Sequence, residues 1–320
     1  MRTKGLLHDV LIVCLGLLTG ILITSAEPLR VVSYNVENLF YPKHDTVAGI
    51  EKEDYEWTPT GERRWSFTRY YRKVDNIARV LTNIGEWNGV DVVGLQEVEN
   101  AMCTKRLCYT LRAGEYDYVH YESPDKRGID VALLYKKARI DTLCTRAIPV
   151  DLQADATRDI LYVCAKADKR DTIHFFVCHM PSQRSGAAAS EWKRDQAKRV
   201  LQSAVDSVLA INHKAKIVVM GDMNCAPKND LNGLTNKMMD FHLRGIGTHK
   251  YKGQWTCLDQ FYTSAELDSA SKATVYDAEW IQETDEKYLG LKPKRTYNGF
   301  RYQNGFSDHL PIVLEINKCE

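Results

Sequence analysis

Short polar clusters stand where the apolar runs of this chain end. Ser33-Tyr34-Asn35-Val36-Glu37 closes one run, Leu95-Gln96-Glu97-Val98-Glu99 a second, and Met220-Gly221-Asp222-Met223-Asn224 a third, while Ser307-Asp308-His309-Leu310-Pro311 precedes a fourth. Carboxylates and amide oxygens brought together in this way suit a hard divalent cation. Mg2+ fits best, because it takes one or two protein carboxylates and leaves its other positions to water and substrate phosphate. His179 and His309 add groups that can move protons near neutral pH. Each cluster also has a plain structural reading. Gly-Asp-x-Asn is a common turn, a single histidine in an apolar strand can be a satisfied core residue, and Asp-His can cap an element. The ordered set Asn35, Glu97, His179, Asp222, Asn224, Asp259 and Asp308-His309, each beside an apolar run, is what points to a catalytic cleft.

Strands must hold these groups, because a rigid sheet can project several polar side chains from its strand ends into one cleft. The β-rich runs are 30–36, 91–98, 116–121, 129–136, 160–166, 172–179, 216–223, 256–262, 273–280 and 311–316. That is more than one ordinary sheet holds. Two helices have one apolar face each: residues 69–84, with Val74, Ile77, Leu81 and Ile84, and residues 187–211, with Val200, Leu201, Val205 and Val208. Each leads into a continuous apolar strand of the kind buried on both faces. No linker or repeat interrupts the body, so the pattern predicts one domain of two packed sheets with helices outside.

The chain has 320 residues, 44% of them hydrophobic, enough for a full core, and this excludes a disordered or disulfide-stapled small protein. With 43 basic and 42 acidic residues the formal charge is +1. No global attraction draws polyanions, so phosphate affinity must come from a local site. One long apolar run, Val10 to Ile23, follows Arg2 and Lys4 and ends at Thr24-Ser25-Ala26. At 14 residues it is shorter than the roughly 20 that a bilayer-spanning helix needs, and it reads as a signal peptide over 1–26 cut after Ala26. The expected product is a secreted or periplasmic domain over 27–320; an uncleaved membrane anchor is the alternative. Cys14 lies inside the run without the small residue before it that a lipoprotein cut would want.

Eight cysteines follow the signal. Cys103 and Cys108, in what reads as a polar loop, are the expected local disulfide, and no second close pair or histidine spacing makes a zinc site. Cys164 and Cys178 read as small buried apolar residues in strands.

Taken together, the clusters resemble the endonuclease/exonuclease/phosphatase superfamily, the DNase I-like metal-dependent phosphoesterases, and within it the secreted bacterial branch. The carriers, in family order over about 30–316, are Ser-Tyr-Asn35-Val, Leu-Gln-Glu97-Val, Arg127-Gly-Ile-Asp-Val-Ala-Leu-Leu-Tyr135, Cys-His179-Met-Pro-Ser, Gly-Asp222-Met-Asn224, Leu-Asp259-Gln and Ser-Asp308-His309-Leu-Pro. The resemblance implies an α/β (α+β) four-layer sandwich, two mixed, mainly antiparallel β-sheets packed face to face with helices outside. It also implies Mg2+, with Mn2+ or Ca2+ as substitutes, held by Glu97 with Asn35 beside it and Asp308 completing the shell. His309 matches the general base and Asp259 its orienting carboxylate. Asp222 and Asn224 match the pair that positions the nucleophile and the phosphate, and His179 the group that stabilises the transition-state phosphate or protonates the leaving oxygen. The implied reaction is in-line attack of water on phosphorus.

Two departures narrow the branch. His179 stands where abasic-site repair endonucleases usually carry Tyr, and Leu258-Asp259-Gln260 where inositol-polyphosphate 5-phosphatases usually carry Cys-Asp-Arg. Gln260 also replaces the Arg of pancreatic-type DNase, leaving Lys294, Arg295 and Arg301 as substrate-phosphate contacts, or else as solvated loop charges. The expected function is a phosphodiester-cleaving enzyme, a nuclease first, acting as a monomer on nucleic acid. The alternatives are a phosphatase or lipid phosphodiesterase acting on a phosphorylated head group, and a catalytically silent binding module. The segment Trp57 to Trp65, with Arg63 and Arg64, reads as part of the substrate rim under either enzymatic reading.

Overall fold

The computed structural model describes residues 27–317 except 48, 49, 113, 154, 184, 185 and 187. The expected signal peptide, with Cys14, and Cys319 lie outside the described residues. Two six-stranded sheets form the body. The first contains β1 (Leu29–Leu39), β2 (Val92–Val98), β3 (Tyr116–His120), β4 (Asp130–Lys136), β11 (Ser271–Val275) and β12 (Ile312–Ile316), in the spatial order β11-β12-β1-β2-β4-β3. The second contains β5 (Ile140–Ile148), β6 (Ile160–Ala167), β7 (Asp171–His179), β8 (Lys216–Asp222), β9 (Leu234–Asn236) and β10 (Asp259–Ser264), in the order β9-β10-β8-β7-β6-β5. Only the central pairs β1–β2 and β7–β8 are parallel. Both sheets are therefore mixed and mainly antiparallel, as the family resemblance implies.

Alternation along the strands builds the seam between the sheets. Val31, Val92 and Leu133 from the first sheet meet Val163, Phe175, Val218, Met220 and Phe261 from the second in one buried cluster. A Cβ on Gly94 would lie 2.8 Å from Met220 Sδ, so this glycine lets the two sheets approach. Helices α1 (Phe67–Gly85) and α2 (Ala101–Leu111) cover the outer face of the first sheet, and α3 (Glu191–Ile211) that of the second. The result is four layers. Ser66 caps α1 by accepting from the Arg69 N–H, and Asn100 caps α2 by accepting from the Cys103 N–H. Among the described residues no helix is long and apolar enough to cross a membrane.

Several expectations are corrected. Residues 101–111 form a helix, not a polar loop, and Cys103 and Cys108 are both free and buried on it. Cys103, Leu107 and Leu111 have helical spacing; treating the cysteines as cross-links hid an apolar face. The edge strand β5 was not expected, because most of its residues face solvent and it has no apolar run. The run 273–280 is a strand only to Val275, and the run 256–262 only from Asp259. Trp57 and Trp65 are core, not rim: Trp65 is fully buried, its indole N–H donates to the Phe40 carbonyl at 2.8 Å, and Trp57 stacks on Phe40. Cys164 and Cys178 are buried in β6 and β7 as expected.

Gly221, in β8, is the backbone position least able to change. Its φ is +143° and a Cβ there would lie 1.9 Å from the Cys178 carbonyl oxygen on the neighbouring strand. Gly221→Ala should therefore cost about 3 kcal/mol or more of stability, read as a lower denaturant midpoint; an unchanged midpoint would contradict the packing described.

Candidate active site

The polar ends of β1, β2, β7, β8 and β10 meet at one end of the sandwich. Asp222, the last residue of β8, is their hub. Its Oδ2 accepts from Asn35 Nδ2 at 3.1 Å, a bond that crosses from one sheet to the other, and lies 3.6 Å from His179 Nε2 and 3.9 Å from His309 Nε2. Its Oδ1 accepts the Asn224 N–H at 2.8 Å. Strand pairing dictates this meeting. Asp222 is directly opposite His179 on one side and Asp259 on the other, so three reactive residues form one row across β7, β8 and β10.

His309 precedes β12 and is oriented from behind. Its Nδ1 is 2.7 Å from Asp259 Oδ2, and its backbone N–H donates to Ser307 Oγ, which itself donates to the Asn35 carbonyl at 2.6 Å. Burial alone would favour the neutral ring, but the carboxylates of Asp259, Asp222 and Asp308 outweigh it and hold the imidazole pKa well above its ordinary value. Burial, with Asp259 and Glu97 nearby, pushes Asp222 up to about 6 against the pull of His309 and the Asn224 N–H. His249 packs beside His309, ring centroids 4.9 Å apart, and burial together with His309 pushes it down to about 4.

Bulges aim the remaining groups. The ladders slip between Asn35 and Leu39 in β1 and between Gln96 and Val98 in β2. Glu37, Asn38 and Glu97 all have positive φ there, at 52°, 56° and 66°. Such irregularities re-aim side chains at strand ends. Glu97 Oε2 accepts the Asn38 N–H at 2.9 Å and its Oε1 lies 3.9 Å from His179 Nε2. Asn224, also left-handed at φ 49°, donates from Nδ2 to the Met180 carbonyl at 2.9 Å.

Glu37, to which the sequence reading gave no role, is buried here and is the counterion of this end. It accepts from Arg295 Nε at 3.1 Å and from the Thr296 N–H at 2.5 Å, with the buried Lys73 Nζ 4.0 Å away. Burial raises its pKa, and burial likewise drives Lys73 down to about 8 against the pull of Glu37, Asp308 and Glu97. The available signals were weak: an acid two residues beyond Asn35, and a lysine next to the apolar face of α1. Arg295 also donates through Nη2 to Asp308 Oδ2 at 2.8 Å. Asp308 is thus held by a guanidinium; burial would raise its pKa, but Arg295, His309, His249 and Lys73 lower it to about 2. Of the three expected phosphate contacts, Arg295 is at the site and half exposed, Lys294 lies beside it in the same loop, and Arg301 stands exposed on the hairpin of Tyr297–Asn298 with Arg301–Tyr302. Gln260 is fully buried and holds the Cys225 carbonyl and Asn236, so it faces away from any substrate.

The donors fit a hard cation. Glu37, Glu97, Asp222, Asp259 and Asp308 crowd one end of the sandwich, and the Asp222 pKa is raised first by burial and then by Asp259 and Glu97, whose repulsion a divalent ion would relieve. Among the described residues, the His/Asp/Glu trio whose ligand atoms lie within 4.8 Å of one another is a different one, His120, Glu122 and Asp130 at the β3 and β4 ends. There Lys52 Nζ already sits 2.7 Å from Glu122 Oε2. A catalytic Mg2+ does not need such a trio, since it binds through few carboxylates.

A buried, oriented imidazole stands beside an amide- and carboxylate-lined cleft on a two-sheet sandwich, an arrangement chemically able to hydrolyse phosphate esters. The chain belongs to the endonuclease/exonuclease/phosphatase family, whose model matches residues 30–318, and it is a phosphate-ester hydrolase. Comparison with curated protein sequences finds no match. Among solved structures, the fold is similar to truncated Caenorhabditis elegans TDP2 (16% identity, 91% of this chain and 98% of that one, TM-score 0.59). It is also similar to a Bacteroides thetaiotaomicron mannosyl-6-phosphatase (15%, 90% and 99%, 0.55) and to the human nocturnin catalytic domain with bound sulfate (16%, 90% and 93%, 0.53). At these identities the likeness is one of fold.

A raised Asp222 pKa means the apoprotein holds a proton there that the unfolded chain would release. This contribution to stability is fully present below about pH 4 and is lost as pH rises through about 6. Bound metal needs the deprotonated site, so the Tm difference between protein with Mg2+ and with EDTA should grow from about pH 5 to about pH 8. A difference independent of pH would contradict this electrostatic account.

Proposed function

We propose that the protein is an exported, divalent-metal-dependent phosphoesterase that cleaves phosphodiester bonds, a nuclease in the first instance, by attack of water activated by His309. The observation that carries this reading is the placement of His309 Nε2: its ring is fixed from behind by Asp259, and the nitrogen faces Asp222 Oδ2 at 3.9 Å. A water lying between these two atoms would be held for attack. The neutral form of the His309 ring takes its proton, a form that a bound cation would favour by offsetting the carboxylates that raise the imidazole pKa in the metal-free site, and Asp259 would stabilise the imidazolium that results. Asn224 keeps a second N–H for a phosphate oxygen, and His179, across Asp222, can donate to the phosphate or the leaving oxygen. Glu97 and Asn35 would hold the metal, with Asp308 nearby on Arg295; when bound, the cation would neutralise charge developing on the phosphate oxygens. Export is inferred from the pattern of residues 1–26.

A shallow polar cavity of about 250 Å³, lined by Arg127, Arg158, Ser182 and Lys193, adjoins the strand end after His179 and offers room for the part of a diester beyond the scissile phosphate. Another cavity, about 520 Å³ between β5 and α3, contains none of the proposed catalytic residues. One observation favours the second reading, a phosphomonoesterase. Three cations near the site are already paired, Arg158 with Asp125, Lys193 with Asp155, and Arg295 with Glu37 and Asp308. Such a rim suits one phosphate better than a long polyanion, and the fold is shared with a mannosyl-6-phosphatase. A silent binding module would lack some of the catalytic set, which here is complete.

The test is hydrolysis of plasmid DNA, RNA, a small phosphodiester, sphingomyelin and inositol phosphates by residues 27–320. Mg2+-dependent diester cleavage is expected, abolished by EDTA and lowered about 10²–10⁴-fold in His309→Ala. Activity confined to phosphomonoesters selects the second reading, and a rate unchanged by both EDTA and His309→Ala overturns the mechanism.

A further inference from the structure

At the edge of the second sheet, two cysteines stand opposite each other across an antiparallel strand pair. Cys144 of β5 is the register partner of Cys164 of β6. A slip in the ladder between Thr142 and Cys144 produces this alignment. Directly opposed residues put their side chains on the same face, with Cα atoms about 4.5–5.5 Å apart, inside the range of roughly 4.4–6.8 Å that disulfides span. Their exposure differs: Cys144 is exposed on the edge strand and Cys164 is buried, and both are free thiols here.

We propose that Cys144 and Cys164 are a thiol pair that closes to a cross-strand disulfide by exchange with an external disulfide. The exposed Cys144 thiolate attacks one sulfur of that disulfide, forming a mixed disulfide and releasing the first external thiol. Cys164 then attacks Cys144 Sγ, forming the Cys144–Cys164 bond, breaking the mixed disulfide and releasing the second. Two electrons pass to the external disulfide, and the two cysteine protons leave with the released thiols. Burial raises the Cys164 thiol pKa, with Cys144 adding to it, which assigns the first attack to Cys144.

The bond would fasten an edge strand that is otherwise paired on one side only. It would also close the segment carrying Arg158, whose guanidinium donates to the Met180 carbonyl at 2.9 Å, the same oxygen that receives Asn224 Nδ2. Oxidation thus secures a loop that buttresses the catalytic shelf without touching the reacting groups. A cross-link stabilises mainly by restricting the unfolded chain.

The experiment is equilibration of the full chain with oxidised or reduced glutathione, followed by thiol alkylation, peptide mapping by mass spectrometry without reduction, and thermal melting. Oxidised protein should show two fewer reactive thiols, a peptide linking Cys144 to Cys164, and a Tm higher by about 5 °C or more. Cys144→Ser, an exposed position, should abolish the link and the Tm rise, while Cys164→Ala should trap glutathione on Cys144. Lasting glutathione on wild-type Cys144, a link from Cys144 to any other cysteine, full alkylation of both thiols, or a Tm rise that survives Cys144→Ser would overturn the proposal.

Discussion

The site depends on one hydrogen bond, from Asn35 Nδ2 in the first sheet to Asp222 Oδ2 in the second. Two sheets that meet only through apolar side chains can slide past one another at small cost, because such contacts have no direction. A buried donor on a carboxylate is directional, and leaving either group unpaired costs about 1–3 kcal/mol or more. This bond fixes the distance between Asn35 and Glu97, which we propose hold the metal, and the row of His179, Asp222 and Asp259, which we propose moves protons. The glycine before Asp222 serves the same end, since only its missing side chain lets β8 lie against the Cys178 carbonyl.

Charge is the second constraint. Several buried carboxylates share one end of the sandwich, and the protein offsets them partly with Arg295 and the buried Lys73 and partly by drawing the His309 pKa upward. Even against the pull of His309, burial leaves the Asp222 pKa raised to about 6. A fold that keeps such a cluster has given up stability to hold groups ready for a cation and a phosphate, a usual trade at catalytic sites.

The meeting of these groups was legible in the sequence because the candidate catalytic residues sit at the ends of strands whose apolar runs are continuous. Asp222, His179 and Asp259 fall where Lys216–Asp222, Asp171–His179 and Asp259–Ser264 begin or end. The two-sheet sandwich followed from the number of runs and from the two amphipathic helices. What was hidden depends on contacts between distant segments. Glu37 gains its partners Arg295 and Thr296 only when the loop before His309 folds back over β1. The bulges that turn Glu37 and Glu97 break the strand alternation on which a sequence reading rests. Arg295, expected to contact substrate, is also shared between two carboxylates, and α2 was concealed because its apolar face is built partly from cysteines.

The central claim, that the Asn35–Asp222 contact holds the metal side and the proton-transfer side in register, is tested most directly by a double-mutant cycle on kcat for Mg2+-dependent phosphoester hydrolysis. The account predicts strong non-additivity, with Asn35→Ala adding little to the loss already caused by Asp222→Ala. Losses that simply multiply in the double variant would show that the two residues act independently and would contradict it.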